Sequence, residues 1–204
     1  MHRRIAFFAT SGKSCYHAVM RSSPLKTWLF SVTAAALLST ALTGCSPHYN
    51  WRDYSSTDAP FRVMFPDKPA THTRTVDVDG LSVSMTMTAA QVDGAMFAVG
   101  SAEAPDAAHA QAALAAMKTA LVRNIGATIT REAPGKTSAL AGSNAAPGAA
   151  IDIEASGVQN GVPMRLIGHF ESRDKRFYQV IVMGKTRDIA PEQVDMFMSS
   201  FKLN

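Results

Sequence analysis

Beyond Cys45 the chain offers chemistry only four histidines, two Met-x-Met pairs and a few neighbouring carboxylates. The thioethers of Met85 and Met87, and of Met196 and Met198, are the type of donor that suits Cu(I) in an exported protein. Met85 and Met87 nevertheless fall on the buried phase of an alternating strand, where methionine is a flexible core filler. No pair among His48, His72, His109 and His169 has the helical or short-loop spacing of a zinc site. His169 alternates with Phe170 along a strand, which predicts a solvent-facing or partly satisfied imidazole rather than a general base. Asp152 with Glu154, and Asp77 with Asp79, each share a strand face opposite apolar residues, the pattern of a solvated face. No acid/base dyad is expected from them.

Two motif fragments fail for want of context. Gly135-Lys136-Thr137 ends like a phosphate-binding P-loop, but Thr130 stands where the first glycine must be, and "SALAGSNAAPG" cannot supply the helix that follows. A serine nucleophile elbow, Gly-x-Ser-x-Gly, does not occur. The expectation is a domain that is not an enzyme and takes no cofactor. The alternative is a periplasmic enzyme or a copper-handling protein using His72, His169 or the methionines.

Charge has to be read in two parts. Arg3, Arg4, Lys13, Arg21 and Lys26 precede Cys45 with no acidic residue among them, and without these five the formal charge falls from +4 to −1. A nucleic-acid-binding domain would show a basic stripe, and none remains, so nucleic acid is not expected as a partner. Cys15 and Cys45 are the only cysteines, so no disulfide is available once residues 1–44 are removed. A domain of roughly 150 residues can bury enough surface to do without one.

Residues 1–44 read as an export signal: basic Arg21 and Lys26, then an apolar stretch from Trp28 to Leu42 that is too short and too rich in Ala, Ser and Thr for a membrane-spanning helix. Met20 is the more natural start than Met1. Leu42-Thr43-Gly44-Cys45 resembles the lipobox of bacterial lipoproteins. That resemblance implies a diacylglyceryl group on Cys45, cleavage before it and acylation of the new terminus, giving several chains and stable membrane anchoring. Ser46 in place of Asp resembles proteins forwarded to the outer membrane, facing the periplasm.

Periodicity then lays out one α+β domain over 61–204, behind a polar tether at 45–60. Tyr49, Trp51 and Tyr54 in that tether suit either the lipid interface or packing on the domain. Phe61, Val63 and Phe65 alternate in a strand closed by Pro66 and Pro69. A weaker strand runs to Asp79-Gly80, and Leu81, Val83, Met85 and Met87 alternate with polar residues in another. Asp93-Gly94 signals a hairpin. Asp106 can cap a main helix over about 106–125, with Leu114, Met117, Leu121, Val122 and Ile125 on its apolar stripe and Gly126 at its end. Residues 133–150 read as a long loop with a short strand near Thr137 to Leu140. Asn160-Gly161 joins two more strands, "RFYQVIVMG" is apolar enough to be central, and Pro191 opens a short C-terminal helix over about 191–200. The expectation is an antiparallel twisted sheet of about six strands with these two helices.

This order, with "FRVMFPDKP" opening the domain, a helix after the second hairpin, a Gly/Pro loop, "RFYQV" in the middle and "SSFKLN" at the close, resembles the PsbP-like fold. Small exported lipoproteins of the DcrB type share it. That family's functions are diverse, so the resemblance implies a fold and no catalytic residue. The implied role is a non-catalytic envelope lipoprotein, held to the membrane through Cys45, that binds another envelope protein or a small hydrophobic ligand.

Overall fold

Left-handed residue pairs set the framework. In the computed structural model, Asp79-Gly80, Asp93-Gly94 and Asn160-Gly161 each place two successive residues at positive φ (56° and 83°, 51° and 84°, 52° and 76°). This is the geometry whose twist matches two-residue hairpins. The structure describes residues 48–138 and 148–204. The leader, Cys45 and Ser46 lie outside them, as does Leu140 of the strand expected near Thr137. Thr137 and Ser138 themselves are in no strand.

The described chain runs β1 (Arg52–Ser55), β2 (Phe61–Phe65), β3 (Ala70–Val78), β4 (Leu81–Val92), β5 (Ala95–Glu103), α1 (Ala107–Asn124), β6 (Ala127–Pro134), β7 (Ala150–Gln159), β8 (Val162–Arg173), β9 (Arg176–Lys185), α2 (Pro191–Ser200) and β10 (Lys202–Leu203). A large seven-stranded sheet has the order β3-β4-β5-β9-β8-β7-β6, and β1-β2-β10 form a small one. All neighbours pair antiparallel. The protein is thus α+β, with β9 in the middle of the large sheet and Phe177 to Val182 buried without interruption.

The expected count of about six strands was too low. β1 lies inside the stretch read as a tether, β6 in a stretch given no strand, and β10 is two residues long. Each buries so little that hydrophobic alternation hardly marks it: β1 and β6 contain no fully buried residue.

The large sheet is covered on both faces. α1 lies on one, burying Ala110, Ala113, Leu114 and Met117. Asp106 caps it by accepting the His109 backbone N–H at 2.9 Å, and Gly126 closes it at φ 60°. The small sheet and α2 cover the other face around Phe61, Phe65, Phe97, Phe197 and Phe201. β4 registers the change of cover: Val83 and Met85 are buried toward α1, whereas Thr88, Ala90 and Val92 are buried on the opposite face.

The aromatic residues before β2 pack on the domain. Tyr49 stacks on Trp51 at 14°, both meet Phe97 edge-on, and Tyr54 packs against Phe61 and Phe65. Asn50 also donates its N–H to the Pro66 carbonyl at 2.8 Å. The two edges of the large sheet differ. β3 pairs with β4 over nine residues in unbroken register, while β6 carries a bulge at Thr130 and ends in Pro134.

A charged cleft over strands β6 to β8

Antiparallel partners point to the same face, so register alone decides what converges on the uncovered end of the sheet. Asp152 lies opposite His169, Glu154 opposite Ile167, and Ala150 opposite Glu171. These rows continue into β9 as Val180, Val182 and Tyr178, which belong to the core beneath the small sheet and α2. Beyond α2 the same face is open. There the polar ends of the rows form the floor of a cleft of about 750 Å³, with Val194, Met198 and Phe201 along its other wall. That volume lies within the range of small-molecule sites.

The bulge in β6 completes the floor. Before it, Ile129 pairs with Ala155; after it, Arg131 pairs with Glu154. In unbroken register Arg131 would fall opposite Ile153 and point to the α1 face. With the bulge, Arg131 reaches Glu154 at 2.8 Å, a use of bulges to re-aim one side chain. Arg165 reaches the other Glu154 oxygen at 2.9 Å. The hydrogen bonds from Arg165 and then Arg131 hold the Glu154 carboxyl below the usual glutamate range.

His169 sits deeper, its side chain 14% exposed, with Nδ1 2.6 Å from Asp152 and Nε2 3.2 Å from Glu171. Ionised carboxylates only accept hydrogen bonds, so an imidazole held by two of them donates from both nitrogens and is the cation. Burial opposes that charge, but the hydrogen bonds to Glu171 and Asp152 outweigh it and raise the pKa above the ordinary 6.5. The Glu171 side chain is only 1% exposed, and both its oxygens also accept the Ser138 N–H, at 2.9 and 3.0 Å. Ser138 in turn accepts the Leu203 N–H at 3.1 Å.

One expectation is narrowed here and one corrected. Of the two settings expected for His169 it takes the satisfied one and is not solvent-facing, because α2 and β10 rise beside its end of the sheet, and its ring packs 6.2 Å from that of Phe201. Asp152 and Glu154 are not a merely solvated face; each is committed to a cation. Arg131, Arg165 and Glu171 went unremarked in the sequence, and the register set by Asn160-Gly161 was the signal for all but Arg131.

The remaining candidates do not join this group. His48 pairs with Asp93 at 2.7 Å and His109 with its own cap, Asp106, at 2.8 Å, while His72 is exposed on β3. Asp77 accepts the Gly80 N–H at 2.9 Å inside its turn. Gly135-Lys136-Thr137 leaves β6 without entering a helix and lies along the cleft. Met85 and Met87 share a strand face and approach Gln179 Nε2 at 4.0 and 3.1 Å. Met196 and Met198 are two residues apart on a helix, about 200° around it, and only Met198 faces the cleft. Among the described residues, no three His, Cys, Asp or Glu side chains are placed to hold a metal ion. No helix among them is long and apolar enough to cross a membrane.

The imidazole of the cleft is not free to act as a base. A hydrolytic triad needs an imidazole nitrogen turned toward a hydroxyl, and both nitrogens of His169 are taken by carboxylates. Compared with known proteins, the chain matches no family model and no curated protein.

Proposed function

We propose that this chain is an exported lipoprotein, anchored through Cys45 in the outer membrane on its periplasmic side, whose PsbP-like domain is a non-catalytic binding module. The lipobox-like Leu42-Thr43-Gly44-Cys45 supports the anchor. The observation that carries the binding role is a cleft of about 750 Å³ in which the one imidazole has both nitrogens engaged. Such a site can position and hold a ligand, either a small hydrophobic molecule or a segment of another envelope protein.

Two measurements test the two halves. Cells fed labelled palmitate should incorporate it into the wild-type protein and not into Cys45→Ala, which should remain as the longer precursor. A photo-crosslinker at Ser199, which lines the cleft, should capture a ligand or partner, whereas one at exposed Asp174 should not. Equal capture from both positions would remove the cleft from the account. Turnover of a substrate by the purified protein, lost in His169→Gln, would overturn the non-catalytic half.

A second reading, handling of a soft metal, draws on one observation: the Met85 and Met87 sulfurs converge on Gln179, and His72 is the cross-strand neighbour of Met87. Thioether and imidazole donors suit Cu(I). Copper carried by the protein as isolated, and lost in Met87→Leu, would favour it over the binding module.

A further inference from the structure

We propose that the ligand of the cleft is an amphipathic anion, a single carboxylate or phosphate group on an apolar body. This rests on the binding role given above and specifies its chemistry. The charges in the cleft are not equivalent to an incoming molecule. Three of its carboxylates are already engaged: Glu171 is 1% exposed and bound by His169 and Ser138, Asp152, 40% exposed, is held by His169, and Glu154, 25% exposed, is shared by two guanidinium groups.

Arg131 stands higher than these three, 62% exposed although paired. Sharing Glu154 leaves one positive charge of Arg131 and Arg165 uncompensated, which offsets the one negative charge that Asp152 and Glu171 leave over from His169. Lys136 and Lys202 also line the cleft, and neither forms a salt bridge among the described residues. A ligand therefore meets positive charge first, although the chain after Cys45 carries a formal charge of −1. Asp195 is the exposed carboxylate on the α2 side, which places the anionic group toward β6 and β8.

The opposite wall specifies the other half of the molecule. Pro191 and Met198 present apolar surface, backed by the buried Val194 and Phe201, and among the described residues no unpaired polar side chain is buried behind it. A fully polar anion such as inorganic phosphate would leave that wall wet, and a neutral hydrocarbon would strip water from the arginines without replacing its hydrogen bonds. An anionic head on an apolar body satisfies both walls.

The test is calorimetric titration of the mature chain carrying Cys45→Ser, so that no attached lipid competes. The probes are decanoate, decyl phosphate, decanol and decyltrimethylammonium, each below its micelle concentration. Decanoate or decyl phosphate should saturate one site, with decanol roughly tenfold weaker or worse and the cation weaker still. Which of the two anions binds more tightly separates a carboxylate ligand from a phosphate one. Binding should weaken several-fold between about 20 and 300 mM salt.

Lys136→Glu with Lys202→Glu should abolish the preference for anions. Ser199→Trp, an exposed position that fills the cleft without touching the core, should abolish binding of every probe, with circular dichroism confirming that both variants fold. If decanol binds as tightly as decanoate, or the cation binds best, the anionic class is overturned while the binding module stands. If no probe binds, the anionic class is overturned, and if crosslinking from Ser199 also captures nothing beyond that from Asp174, the binding module falls with it.

Discussion

His169 donates Nδ1–H to Asp152 across the β7–β8 pair at 2.6 Å, while its other nitrogen rests on a carboxylate that solvent scarcely reaches. The imidazolium is therefore the counter-ion that makes burial of Glu171 tolerable.

A pH dependence follows from this arrangement. Because the folded pKa of His169 is raised, its stabilisation is fully present below the unfolded value near 6.5 and is lost as pH rises through the folded pKa. Glu154 acts in the opposite sense: its lowered pKa contributes above about 4.5 and is lost as pH falls through the folded value. Denaturant unfolding from pH 5 to 9 should show stability declining on the alkaline side in the wild type, with that decline absent in His169→Gln. Removing the cation alone should cost roughly 3–5 kcal/mol, since Glu171 is left buried without its partner. His169→Gln with Glu171→Gln should recover much of it.

Deleting Thr130 should remove the β6 bulge while leaving Arg131 opposite Glu154, the next regular partner after Ile129 with Ala155. The Glu154 pKa, followed by carboxyl NMR titration, should then stay below the ordinary glutamate value, whereas Arg131→Ala should move it part of the way back, with Arg165 retaining the rest. A Glu154 titration that returned to the ordinary value on deletion would mean that Arg131 needs the bulge to reach it. The loss of stability should be small, because β6 is an edge strand whose residues are mostly exposed.

Gly100→Ala probes the other face. A Cβ there would stand 2.6 Å from Met87 Sδ and 2.7 Å from Gln179 Cγ. Both are side-chain atoms that can shift, so overpacking should cost about 1–3 kcal/mol rather than abolish folding. Met87→Ala in the same molecule should return part of that loss, a coupling that chemical denaturation of both single variants and the double variant would reveal.

Residues 48–55 should behave as part of the domain. Trp51→Ala removes a ring packed on Tyr49 and Phe97 and should destabilise the fold by roughly 2–4 kcal/mol. Removing everything before Phe61 should cost more, since β1 and the Asn50 hydrogen bond go with it. If stability after that truncation equals that of the chain from Cys45, this segment is a tether after all.

Much of this was legible in order but not in position. Hairpin turns, the Asp106 cap, the α2 start at Pro191 and the central place of β9 all follow from local signals: special φ, a capping carboxylate, a proline ring and a continuous apolar run. The cleft was half legible. A two-residue loop at Asn160-Gly161 fixes which residues of β7 and β8 face each other, and so puts Asp152 against His169 before any coordinates are known. Polarity on those strands looked like solvation because nothing local shows that α2 and β10 rise beside that end of the sheet. Arg131 was beyond reach, since a bulge has no reliable mark in "ATITREAP" and shifts every later residue to the opposite face.

The unequal borders of the large sheet have a consequence for how copies of this protein can meet. Adding strand to strand without limit requires two competent borders on every molecule. Here one is kinked at Thr130 and stopped by Pro134, which lacks a backbone N–H to donate. Two molecules joined through β3 would present only the kinked borders outward, so accretion by this route ends at a pair.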